Sequence, residues 1–147
     1  DDLYTWVGEQ VALLRAGRLS EVDALNVAEE LADVGKSEQS KLESAIAVLT
    51  MHLLKWDHQP SRRSRSWEGT IGEQRDRISD VLADNPGLTR QLPQAMQRGY
   101  RYGRSRAVTE TRLPYDAFPE ACPYSFDEMM TRPNVFEPPP PRKRKVR

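Results

Sequence analysis

The stretch Lys41–Pro60, KLESAIAVLTMHLLKWDHQP, decides the fold. Leu42, Ile46, Leu49, Leu53 and Trp56 recur at steps of four and three, which lays one apolar stripe along an α-helix. Met51 and Leu54 fall off that stripe, so the second half is apolar on more than one side and belongs at the centre of a bundle. Pro60 ends the helix, because proline lacks an N–H and disfavours helix in the residue before it.

Upstream, Leu3, Trp6, Val7, Val11 and Leu14 predict a first amphipathic helix closing near Gly17. Ser20, with Asp23 three residues on, reads as the N-cap of a second helix running to about Val34. That helix is expected to bury Val22, Leu25, Ala28, Leu31 and Ala32, with Gly35 breaking or bending it and Ser37 able to cap the helix that follows.

Downstream, Trp67, Ile71, Ile78 and Leu82 predict a fourth helix with Gln74 set into its apolar stripe, stopped at Asn85-Pro86-Gly87. A fifth runs from about Thr89 to about Arg112. Its Ala95, Gly99, Gly103 and Ala107 make a ridge of small residues that lets two helix backbones approach closely. The segment LPYDAFPEACPYSF, from Leu113 to Phe126, reads as a proline-punctuated strap over the core, and Ser125 with Glu128 caps a short turn from Phe126 to Met130. The ending PPPPRKRKVR lacks apolar content and reads as disordered. The expectation is all-α: a compact bundle of about five helices forming one domain over residues 1–130, then a disordered proline-rich basic tail over residues 131–147.

Composition bounds the function. The 147 residues are 37% hydrophobic and 30% charged, and no apolar run is long enough to span a bilayer, so no membrane partner is expected. Asp1 and Asp2 do not begin a signal peptide, and the lone Cys122 favours a reducing cytoplasm. Charge is segregated: residues 1–50 carry a net −6 and residues 51–112 a net +5.

Three spaced blocks carry a family likeness. They are YTWVGEQVALLRAGRLSEVDALNVAEEL from Tyr4, LTMHLLKWDHQPSRRSRSW from Leu49 (continued by Ile71 and Glu73-Gln74-Arg75), and the closing motif Leu113-Pro114, Phe118-Pro119-Glu120 and Cys122-Pro123-Tyr124. Over about residues 3–130 the chain resembles the bacterial family called domain of unknown function twenty-nine. The resemblance implies an all-helical domain and brings no catalytic residues with it.

The residues themselves supply no catalytic constellation. His52 and His58 do not share a helical face and have no E-x-x-H partner, so they read as structural, and no metal or other cofactor is expected. Cys122 has no histidine near it in sequence. The arginines form the candidate interaction surface. Arg62, Arg63 and Arg65 lie in the loop between Trp56 and Trp67, while Arg90, Arg98, Arg101, Arg104 and Arg112 fall within about 120° of one helix face. These guanidiniums can bind phosphates or a carboxylate-rich partner. Their other possible use is internal pairing with the strip Asp23, Asn26, Glu30 and Asp33. The expected function is therefore a non-catalytic module that binds a protein partner or itself, the alternative being an accessory nucleic-acid binder that uses the arginine face and the basic tail.

Overall fold

In the computed structural model, residues 2–144 are described; Asp1 and the last three residues of the basic tail, 145–147, lie outside the described residues. The chain is all-α. Its helices are α1 (Leu3–Arg15), α2 (Ala24–His58), α3 (Arg65–Asp84), α4 (Leu92–Thr111) and the short α5 (Phe126–Thr131), with no strand among the described residues. It divides into two compact units, Asp1–Glu38 and Gln39–Arg147.

The largest departure from expectation is α2, a single helix of 35 residues where two were predicted. Gly35 costs helix propensity but keeps its backbone N–H, so unlike a proline it leaves the hydrogen-bond ladder intact. Nothing lies within 4 Å of where its Cβ would stand. Ser37 consequently sits inside the helix and caps nothing. Ser20 does not cap α2 either; it lies in a 3-10 turn, Leu19–Glu21, and the Asp23 carboxylate takes the capping role, accepting from the Asn26 N–H at 3.4 Å.

In the first unit, Asp2 caps α1 by accepting from the Thr5 N–H at 2.8 Å, and Gly17 closes it in the left-handed region at φ 72°. The Gln10 side-chain oxygen accepts from the Asp23 N–H at 2.8 Å and ties α1 to the start of α2. The burial expected here does not occur. Leu25 is 83% exposed and Leu31 67%, Ala28 and Ala32 are exposed, and Val22 is half-buried. Asp2, Leu3 and Trp6 share an open cleft with Asn26 and Glu30, and between Ala24 and Val34 only Val27 and Glu30 are partly covered.

The second unit is a helical bundle, and the stripe Leu42, Ile46, Leu49, Leu53 and Trp56 is its core, with Met51 and Leu54 buried as well. Ile71, Gln74 and Ile78 of α3 are buried, and Ser64 caps that helix through the Trp67 N–H. The small-residue ridge of α4 is wholly buried. A Cβ on Gly103 would stand 2.2 Å from Thr50 Oγ1 and 2.7 Å from the Ala47 carbonyl oxygen, so α4 meets α2 backbone to backbone. Thr50 fits there because its hydroxyl donates back to the Ile46 carbonyl at 2.8 Å and asks nothing of α4.

Phe118, Tyr124 and Met129 are buried, and Ser125 caps α5 by accepting from the Glu128 N–H at 3.1 Å. Packing continues past residue 130. Asn134 is buried, Phe136 packs against the core, and the Phe136 N–H donates to Glu68 Oε2 at 3.1 Å. Residues 137–144 are exposed and carry no helix or strand.

Candidate interaction surface

The eight arginines picked out in sequence occupy three different structural settings. Arg62, Arg65, Arg90 and Arg112 are exposed. Arg90 lies in the 3-10 segment Pro86–Gln91, ahead of α4, and Arg112 is the residue that ends α4 in the left-handed region at φ 59°. The helical face of α4 therefore comprises Arg98, Arg101 and Arg104 alone. Arg98 and Arg101 are exposed; Arg98 pairs with Glu43 at 3.7 Å, and Arg101 stacks on Tyr102 with the guanidinium 5.3 Å from the ring centroid.

Arg63 and Arg104 are committed to holding the fold. Arg63 donates through Nε to the Trp56 carbonyl at 2.9 Å and stacks over the Trp56 ring, which satisfies the open C-terminal end of α2. Arg104 donates to the carbonyls of Tyr115 at 2.9 Å and Phe118 at 3.2 Å, and so fastens the 3-10 turn Tyr115–Ala117 to α4.

Sequence reasoning missed the cluster that closes the family's central block. Asp57 accepts from the Tyr124 hydroxyl at 2.7 Å and from both terminal nitrogens of Arg132 at 2.9 and 3.0 Å. Burial first, and then the Asp57 carboxylate, push the Tyr124 hydroxyl far above its ordinary value, so it stays a donor. Arg75 reaches the carbonyls of Met129 and Arg132 at 2.8 and 2.9 Å and the Asn134 side-chain oxygen at 3.2 Å. Lys55, buried on α2, pairs with Glu110 and lies 4.7 Å over the Trp67 ring. No sequence spacing links the polar partners Lys55–Glu110, Arg75–Met129 and Asp57–Arg132, which are between 54 and 75 residues apart.

The histidines serve the helix. His52 Nδ1 is 2.8 Å from the Val48 carbonyl oxygen and His58 Nδ1 is 2.9 Å from that of Leu54, with the His58 ring edge-on to Phe118. Cys122 donates to the Tyr124 carbonyl at 3.4 Å, and burial pushes its thiol up, away from a reactive thiolate. Tyr100, whose hydroxyl donates to the Pro119 carbonyl, is pushed up to about 12, again by burial. Among the described residues no three His, Cys, Asp or Glu side chains are grouped to hold a metal.

The first unit also exposes large apolar side chains. Leu3, Tyr4, Val7 and Leu14 of α1, Leu19 of the turn, and Leu25, Leu31 and Val34 of α2 are all exposed, Tyr4 by 90%. The open cleft of about 280 Å³ lined by Asp2, Leu3, Trp6, Asn26 and Glu30 sets one indole beside two carboxylates. In sequence this region is marked by its charge, nine acidic side chains against three basic in residues 1–38, while the spacing of Leu25 and Leu31 points to a core they do not enter.

The model of the family described as "Domain of unknown function DUF29" matches residues 1–133. The chain belongs to that family. The DUF29 match spans the first unit, the central block and the Asp57–Tyr124–Arg132 cluster alike. No curated protein and no solved structure matches the chain.

Proposed function

We propose that this DUF29 chain is a non-catalytic interaction module, binding a protein partner or a second copy of itself through apolar side chains exposed in residues 2–38. One observation carries the reading. Among the described residues of that unit the only buried one is Gln10, while eight large apolar side chains are exposed. The lone Cys122 and the family resemblance support a reducing bacterial cytoplasm as its setting. No helix among the described residues is long and apolar enough to cross a membrane. The test is sedimentation velocity over a wide concentration range, paired with cross-linking in the source cell. A chain that stays monomeric and captures nothing would refute the reading.

A second reading rests on the exposed arginines. Arg62, Arg65, Arg90, Arg98, Arg101 and Arg112 are open to solvent and suit the phosphates of a nucleic acid. Support for it would be binding to generic duplex DNA or RNA that falls steeply with salt and survives removal of residues 132–147. Silence at low salt would end it.

A further inference from the structure

Resting on the nucleic-acid reading, we infer that the exposed face of α4, with Tyr115 brought beside it, takes an unpaired nucleic-acid strand. Its bases stack on Tyr102 and Tyr115, and its phosphates lie against Arg98, Arg101 and Arg106. Helical spacing puts these groups together. Arg98, Tyr102 and Arg106 follow one another at four-residue steps, with Arg101 and Ser105 beside that row, so the five span about 140° of the helix surface. The ridge of Ala95, Gly99, Gly103 and Ala107 is buried, whereas these three arginines are exposed and Tyr102 is 51% exposed.

The turn after α4 adds the second ring. The Tyr115 hydroxyl lies 2.8 Å from Ser105 Oγ, and the residue is 48% exposed. Each ring carries a guanidinium: that of Arg101 is 5.3 Å from the Tyr102 centroid, and that of Arg104 is 5.2 Å from the Tyr115 centroid. Arg104 is occupied by the Tyr115 and Phe118 carbonyls, so it holds the ring and leaves the ligand to its neighbours. Rings held in place while half open to solvent lose little freedom when a base stacks on them. Charge favours the same occupant. Between Pro86 and Tyr115 there are six arginines and one acid, Glu110, which Lys55 engages. Glu43 of α2, 3.7 Å from Arg98, offsets part of one charge, and Asp116 adjoins Tyr115 in the turn. Arg101 has a tyrosine for its neighbour instead. In a duplex the base faces are stacked on one another, and edges and phosphates alone are open to a side chain. Half-open tyrosines set among arginines match an unpaired strand, whose base faces are free.

The experiment is fluorescence anisotropy of labelled oligothymidylate and oligouridylate of about 12 nucleotides, and of a duplex of equal length, titrated with the full chain. Base faces and phosphates are common to DNA and RNA, so both single strands should bind, at least about tenfold tighter than the duplex. Removing residues 138–147 should leave that preference in place. Tyr102→Ala should weaken single-strand binding about tenfold, and Tyr102→Phe, which keeps the ring, should bind as the native chain does. Arg106→Gln should lower the slope of log affinity against log salt by about 0.7, the loss of one phosphate contact. None of these substitutions should shift the melting temperature, because both side chains are exposed. Duplex binding as tight as single-strand binding, indifference to Tyr102→Ala, weak binding by Tyr102→Phe, or binding that vanishes with residues 138–147 would each overturn the inference. Salt-steep duplex binding that survives loss of the tail would still leave the arginine reading standing. No binding of any strand up to about 100 μM at low salt would remove both.

Discussion

Trp56 shows how much of the fold one position carries. Its ring is 4% exposed at the C-terminal end of the core stripe, and the Arg63 guanidinium covers it from outside. Trp56→Ala should cost about 3–5 kcal/mol, read as a lowered denaturant midpoint. An unchanged midpoint would place the ring outside the core. His52 predicts a pH dependence. Burial is the main cause that holds its imidazole below the ordinary 6.5, with Lys55 adding to the effect and the Val48 carbonyl and Glu110 opposing it. A histidine depressed in the folded state binds fewer protons there than in the unfolded chain. Its contribution to stability is complete above about pH 6.5 and is lost as pH falls from there toward its folded value. Melting temperature should therefore decline as pH drops below about 6.5, and His52→Gln should flatten that decline.

At the scale of elements, two glycines inside helices predict opposite outcomes. Gly103→Ala puts a methyl group against Thr50 and the Ala47 carbonyl, so α4 must withdraw from α2. The expected loss is about 1–3 kcal/mol in chemical denaturation. Gly35→Ala adds a methyl group where nothing lies within 4 Å, and it should favour the helical form by up to about 1 kcal/mol. Slower amide exchange in the first half of α2 would show the gain; faster exchange would contradict it. The sequence pattern identified Gly103 correctly, because four small residues at four-residue spacing describe a helix contact wherever they occur. It misjudged Gly35, because whether one glycine ends a helix depends on flanking residues and packing rather than on the glycine. The arginines divide for the same reason. Spacing collects them on a face, but only the placement of the Tyr115 and Phe118 carbonyls turns Arg104 from a surface charge into a clasp.

For the whole molecule, stability is expected to be unevenly distributed. Residues 42–56 contain the fully buried stripe, and residues 2–38 bury Gln10 alone. Native-state hydrogen exchange should find the slowest amides in Leu42–Trp56 and markedly faster ones in α1 and in Ala24–Val34 of α2. Uniform protection across both regions would contradict that division. A partner that binds the first unit should then raise protection there selectively.

The sequence by itself determined the helical class, the central helix and its stripe, the α4 ridge, the caps at Ser125 and the stop at Pro60. Each of these follows from local periodicity or from the stereochemistry of single residues. Tertiary structure alone decided that α2 runs unbroken through Gly35, that Asp57 meets Tyr124 and Arg132, and that Leu25 and Leu31 face solvent. A stripe of leucines states that a surface must be covered. It cannot state by what, because covering is a property of the element brought against it, and in this part of α2 Val27 and Glu30 are partly covered while Leu25 and Leu31 are not.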